Sequence, residues 1–169
     1  MSVEIKNRII SLYVENQVGV LSKISGLFSG KSYNLNSLTV GPTQDHTVSR
    51  MTIETSSDDE TFEQIKKQLN RLIEVIRVID LTELSVCIKE ILYIKVRGCT
   101  LEDKTALFQI AQTFHAQVVD YGKEEILLEF MQESMKNDAV IQMLKESFRN
   151  IEVVRGGSVG IEAISMNAR

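Results

Sequence analysis

The order of apolar periodicities along this chain occurs twice, and that repetition limits the possible folds more than any other feature. Residues 7–15 (Asn-Arg-Ile-Ile-Ser-Leu-Tyr-Val-Glu) are rich in β-branched and aromatic side chains and predict a strand. Val20, Leu21, Ile24, Leu27 and Phe28 follow at helical spacing, with Gly30 placed to end the helix. A strand is expected over residues 34–40, a turn at Gly41-Pro42, and an alternating strand over residues 47–55. Ser57-Asp58-Asp59-Glu60 reads as a capping box with Ser57 as the N-cap. Phe62, Ile65, Leu69 and Leu72 form a second helical stripe, and residues 75–81 close with a strand.

The same order, β-α-β-β-α-β, then starts again. Residues 91–97 alternate as a strand, and Leu107, Ile110, Ala111 and Phe114 mark a helix. Residues 117–121 and 125–131 form a hairpin around Gly122-Lys123. Val140, Ile141, Leu144 and Phe148 mark a second helix, and residues 151–155 a last strand broken by Gly156-Gly157. The expected class is α+β: two ferredoxin-like βαββαβ sandwiches in tandem, residues 1–82 and 83–169, each burying two helices on one face of a four-stranded sheet. In this topology the second strand lies at a sheet edge. Leu35, Leu38 and Val40, with no lysine or proline inside the segment, make that edge a template for a second copy of the chain.

Composition narrows the function. With 169 residues, 43% hydrophobic and 25% charged, the chain has ordinary globular usage. A net charge of −4 and scattered basic residues argue against nucleic-acid binding. No apolar run approaches the roughly 18–20 residues of a membrane span, and the first residues show no secretory h-region, so a cytoplasmic location is expected. Cys87 and Cys99 are lone thiols, read as packing residues in a reducing compartment. His46 and His115 have no partner at ligand spacing, so no metal is expected. No nucleophile–base pair stands out, and Asp58-Asp59-Glu60 reads as a helix-start charge cluster rather than a catalytic carboxylate pair; no catalytic residue is assigned.

What remains is the stretch from Asn16 to Asn34. A polar residue and a glycine precede a helix, and a second asparagine opens the next strand. Free N–H groups at a helix start suit a carboxylate, and asparagine oxygens can accept from an ammonium, so the stretch is a candidate cradle for a small zwitterion. A simple turn with a helix cap would leave the same trace at Asn16 and Gly19. The cradle occurs in only one of the two repeats, since the equivalent turn in the second reads Gly98-Cys99-Thr100-Leu101.

The segment Asn16-x-x-Gly19-x-Leu21 after a strand resembles the ACT domain, a small amino-acid-sensing module. With Gly26-Leu27-Phe28-Ser29, Tyr33-Asn34, Ser37-Leu38-Thr39-Val40, Ser49-Arg50-Met51-Thr52-Ile53 and Gln64-x-x-Lys67-Gln68-Leu69, the chain is similar to the regulatory (small) subunits of acetolactate synthase, also called acetohydroxyacid synthase. Residues 7–82 carry most of the likeness, and Val153-Val154-Arg155-Gly156-Gly157 extends it into the second half. The resemblance implies a non-catalytic subunit that binds and activates a large catalytic subunit and confers feedback inhibition by valine in branched-chain amino-acid synthesis. Thiamine diphosphate, Mg and FAD would reside on that large subunit and no cofactor on this chain. Matching positions make Asn16, Gly19 and Asn34 effector-binding residues, with Val20 and Leu21 adding backbone N–H groups and Gly41 a small residue nearby. The resemblance implies that the effector is valine or a related branched-chain amino acid, and a homodimer formed through the edge strand is expected to set the site across its interface. The second domain is the candidate contact with the catalytic subunit. The alternative is a free-standing ACT-type sensor acting on another protein. One departure stands out: the family usually has glycine before the Tyr-Asn pair, where this chain has Lys31-Ser32. Gly30 is then expected to stop the helix early and reroute the loop to Asn34.

Overall fold

The computed structural model describes residues 4–164. The elements run β1 (Lys6–Glu15), α1 (Val20–Gly30), β2 (Ser37–Pro42), β3 (Val48–Ser57), α2 (Asp59–Leu69), β4 (Val75–Asp80), β5 (Val86–Arg97), α3 (Leu101–Thr113), β6 (Gln117–Tyr121), β7 (Glu125–Gln132), α4 (Ser134–Ser147) and β8 (Ile151–Glu162). The two sheets have strand orders β2-β3-β1-β4 and β6-β7-β5-β8, the ordering of two tandem βαββαβ units. β2 is an edge strand of the first sheet, as its place in the topology requires.

Alternation places Ile10, Leu12 and Val14 of β1 and Met51 and Ile53 of β3 on the helix-facing side. There they pack with Val20, Ile24 and Phe28 of α1 and Phe62, Ile65 and Leu69 of α2. The second unit repeats this with Leu92, Ile94, Val96, Ile126, Leu128 and Phe130 under Leu107, Ala111, Val140 and Leu144. Cys99 is buried in this second core, where burial pushes its thiol pKa up, and Cys87 is exposed; both are free.

Several local expectations need correction. Ser57 is not a helix cap: it is the last residue of β3, opposite Lys6 in the β1 ladder, and Asp58 caps α2 by accepting from Thr61 N at 2.8 Å. The ladder's demand for one more extended residue moved the cap by one. Gly41-Pro42 does not turn the chain but ends β2, opposite Arg50 and Ser49. Gly156-Gly157 does not break the last strand, which runs on to Glu162. Gly156 is needed for closeness rather than for a turn, since a Cβ there would lie 2.5 Å from Ile91 Cγ2.

The longer β8 changes the division of the chain. The compact units comprise the described residues up to Cys87 together with those from Ser158 on, and residues from Ile88 to Gly157. A cut between residues 82 and 83 therefore misses the return of the C-terminal segment to the first unit. There the segment crosses the sheet face opposite the helices. Ser158 N donates to Ser37 Oγ (3.4 Å), Gly160 N donates to Thr52 Oγ1 (3.4 Å), and Thr39 Oγ1 donates to Ser158 O (2.8 Å). Side-chain hydroxyls of β2 and β3 thus pair with backbone groups of β8, whose hydrogen-bonded neighbour in its own sheet is β5 alone. This explains why the outward positions Ser37, Thr39 and Thr52 carry hydroxyls.

Candidate functional site

The α1 start is built by the turn between β1 and the helix. Gly19 is its N-cap at φ 91°, a left-handed conformation that side chains adopt only with strain. No side chain caps the helix and its first turn carries no acidic residue. Val20 N makes only a 3.4 Å contact, to Gln17 O. The leading N–H groups, those of Val20 and Leu21 among them, therefore present partial positive charge with no protein anion to answer it.

Asn16 is fixed beside this start by the loop joining β2 to β3. Its backbone N donates to Thr47 O at 2.7 Å and its Nδ2 to His46 O at 2.9 Å. Oδ1 makes no hydrogen bond among the described residues and is free to accept. Asp45 shapes the loop by accepting from Thr47 N (2.9 Å) and Thr47 Oγ1 (2.7 Å), and these bonds hold its carboxyl below the usual aspartate range. At the flank of α1, Lys23 pairs with Glu74, a contact that lowers the Glu74 pKa and neutralises the one cation in the second turn of α1. The helix start itself carries no charged side chain beyond paired Lys23, and exposed Val18 and Leu21 border it. The site offers donors for a carboxylate and an acceptor for an ammonium.

Asn34 is not in this cluster. It follows the C-terminal end of α1, whose eleven residues separate it from Gly19 by roughly 16 Å at the usual helical rise. Its Nδ2 donates to Asn36 Oδ1 at 2.7 Å. Within one chain the structure thus groups Asn16, Gly19, Val20 and Leu21 and leaves Asn34 at the other end of the helix. Gly41 lies on β2 opposite Arg50 and lines a groove on the far face of the sheet.

The loop leading to Asn34 is not rerouted at Gly30. Gly30 is the last residue of α1, as expected, Lys31 is its C-cap, and Ser32 takes the left-handed turn at φ 56°. Tyr33 N donates to Phe28 O (2.9 Å) and Ser32 N to Ser29 O (3.2 Å), the paired bonds of a Schellman motif. The Phe28 and Tyr33 rings meet edge to face at 6.2 Å and close it. Serine therefore fills the position where glycine was expected, and the packing of Tyr33 on Phe28 offsets its strain.

The groove on the far face was not foreseen. It arises only because β8 returns across the first sheet, and the alternation in residues 156–162 was the one signal of that continuation. Among the described residues no group of three or more His, Cys, Asp or Glu could hold a metal ion, and no helix is long and apolar enough to cross a membrane.

Comparison with known proteins agrees along nearly the whole chain. The family described as the AHAS small subunit-like ACT domain matches residues 10–77, and that described as the small subunit of acetolactate synthase matches residues 89–164. The acetolactate synthase small subunit of Haemophilus influenzae is 39% identical over 154 residues, which is 91% of this chain and 94% of that protein. The isozyme 3 small subunit of Escherichia coli is 36% identical with the same coverage of both chains, 91% and 94%. The crystal structure of the small subunit from Thermotoga maritima is similar with a TM-score of 0.83 and 32% identity, over 94% of this chain and 98% of that one.

Proposed function

For a chain that belongs to the family of acetolactate synthase small subunits, we propose a regulatory role in which it binds a large catalytic subunit, raises its activity and makes it answer to valine or a related branched-chain amino acid. The observation that carries this reading is the uncapped α1 start, where Gly19, Val20 and Leu21 offer N–H groups to an effector carboxylate and Asn16 Oδ1 accepts from its ammonium. Chemistry stays with the large subunit, which holds thiamine diphosphate, Mg and FAD.

The separation of Asn34 from Gly19 within one chain supports a site shared between two copies. Pairing of two β2 edges in a two-fold dimer turns the α1 start of one copy toward the Asn34 end of the other. Asn34 Oδ1, which accepts no bond among the described residues, then completes the ammonium site, and Gly41 leaves room beside it.

Burying an isopropyl group contributes about 1.5–3 kcal/mol. Each charge-assisted bond to the two ends adds on the order of 1.5–3 kcal/mol. Less the cost of association, the sum gives a micromolar to millimolar sensor that releases its effector when the supply falls. Coupling requires only that valine bind one state of the complex better than the other.

The test is reconstitution with a large acetolactate synthase subunit, assayed with and without valine. Stimulation that valine reverses is expected. Valine binding without any effect on the large subunit would instead favour a free-standing sensor.

A further inference from the structure

The first unit carries a second recess, on the sheet face opposite α1. It is a groove of about 440 Å³, floored by Tyr13, Arg50 and Thr52 and walled by residues of β2 and the returning end of β8. The volume falls within the range of small-molecule sites. Among the described residues Arg50 is the only charged one that lines it, and no carboxylate does; Val40, Pro42, Val159 and Ile161 supply apolar wall.

Arg50 is held ready. Its Nε donates to Ser11 Oγ at 2.8 Å, and its guanidinium lies over the Tyr13 ring at 5.1 Å from the centroid. Ser11 is fully buried, so its hydroxyl is a fixed partner. The one acid that Arg50 meets among the described residues is Glu162, by a single contact of 3.3 Å from Nη2, with both side chains partly exposed. A long, one-nitrogen pair near the surface is weak, and Nη1 is uncommitted among the described residues. A planar fork, fixed in direction and loosely neutralised, is suited to a carboxylate that can take two parallel N–H bonds.

We propose that this groove binds a small monocarboxylate with a short apolar body, anchored on Arg50, as a site separate from the α1 start. The single cation with no lining anion selects one negative charge, and the valine, proline and isoleucine walls select an apolar remainder. The inference does not depend on the effector reading of α1. Branched 2-oxo acids and branched amino acids both present this chemistry, and they differ in the ammonium, for which the groove holds no carboxylate.

The test uses the full chain, with Gly19→Asp introduced to close the α1 start, and calorimetric titration with 3-methyl-2-oxobutanoate, valine and the neutral 3-methylbutanamide. Saturable millimolar binding of the oxo acid is expected in the wild type and in Gly19→Asp, and no binding of the amide. Arg50→Met is expected to weaken oxo-acid binding at least about tenfold, the loss of one charge-assisted pair. Glu162→Gln keeps the cation and removes its competitor, so affinity should hold or rise about threefold; this variant decides the matter if Arg50→Met does not fold. Valine binding in Gly19→Asp that Arg50→Met abolishes supports the site with amino acids as a source of the carboxylate. Oxo-acid binding without valine binding supports it with oxo acids alone. Failure of the oxo acid to bind Gly19→Asp, equal binding of the amide, or weakened binding in Glu162→Gln would overturn it.

Discussion

Two helices start directly after the first strand of their units, α1 at Gly19 and α3 at Thr100, and the two starts are built in opposite ways. Thr100 Oγ1 accepts from Asp103 N at 3.1 Å while Asp103 Oδ2 accepts from Thr100 N at 2.8 Å, a reciprocal capping box that also lowers the Asp103 pKa. The α3 start is thus occupied by its own side chains, and an anion has little to gain there. At α1 the cap is a left-handed glycine with no side chain and no acid in the first turn. The same supersecondary unit is in one case closed on itself and in the other left open for something else to complete it. The difference lies in a few residues, Asn16-Gln17-Val18-Gly19 against Gly98-Cys99-Thr100, and it is the ground for placing the proposed effector site in the first unit.

The sharpest way to break this comparison is Gly19→Asp. It puts a carboxylate on a left-handed backbone at the place proposed for the effector, and about a hundredfold loss of valine sensitivity is expected, with stimulation of the large subunit retained. Unchanged inhibition curves would remove the α1 start from the site. Asn16→Ala should act in the same direction more weakly.

Next in size is an effect confined to the second unit. Glu90 is buried and accepts from Arg155 Nε (2.9 Å) and Nη2 (2.7 Å) and from Asn137 Nδ2 (2.9 Å). Burial alone would raise its pKa, but the bonds from Arg155 and Asn137 outweigh it and hold the carboxyl below the usual glutamate range. The same bonds from Glu90 raise the Arg155 pKa, so that pair is charged at all ordinary pH. Arg155→Met should cost about 3 kcal/mol by leaving the carboxylate buried and unpaired, read as a shifted denaturant midpoint. Because the folded pKa is depressed, the contribution of Glu90 is fully present above its unfolded pKa near 4.5 and is lost as pH falls through the lower folded value. Acid titration of wild type against Arg155→Met should converge in that window.

Thr100→Ala should destabilise by about 1 kcal/mol and leave valine inhibition untouched, the converse of Gly19→Asp. A change in inhibition would show that the closed start is not inert.

The smallest effects test where the two units agree. α1 ends with Ser32 at φ 56° and α3 with His115 at φ 53°, and each is followed by a residue whose N–H reaches back five residues, Tyr33 to Phe28 O and Ala116 to Ala111 O. Ser32→Gly and His115→Gly should each stabilise by about 0.5–1 kcal/mol, the left-handed strain relieved less the added entropy of the unfolded chain. Thermal midpoints that fall instead would mean that side-chain contacts of Ser32 or His115 outweigh the backbone term.

Much of the architecture was legible because it depends on periodicity. The stripe Val20, Ile24, Phe28 could face only one core, and the alternation Leu92, Ile94, Val96 could face only one side of a sheet. Errors came where two local signals competed and a long-range one decided. Ser57 had the chemistry of a cap but was claimed by the ladder with Lys6, and Asp58, equally able to cap, took over. Gly156-Gly157 had the composition of a break, yet Gly156 was required by the approach of Ile91, 65 positions earlier. At the site, Asn16 and Gly19 were readable because a polar residue and a glycine before a helix act locally. Arg50 was not, since its role depends on which face of β3 it occupies and on Ser11, Tyr13 and Glu162 meeting there.

The sequence by itself determined the two βαββαβ units, the helix faces that fill their cores, the edge position of β2 and the open start at Gly19. All of these follow from side-chain period and backbone preference within a few residues. Only the tertiary structure decided that β8 runs through its glycines and returns to the first unit, that Asn34 lies a helix length from Gly19, and that Arg50 floors a groove. Those outcomes rest on contacts between residues far apart in the chain, where hydroxyls of β2 and β3 satisfy the backbone of β8, and no local pattern encodes such a pairing.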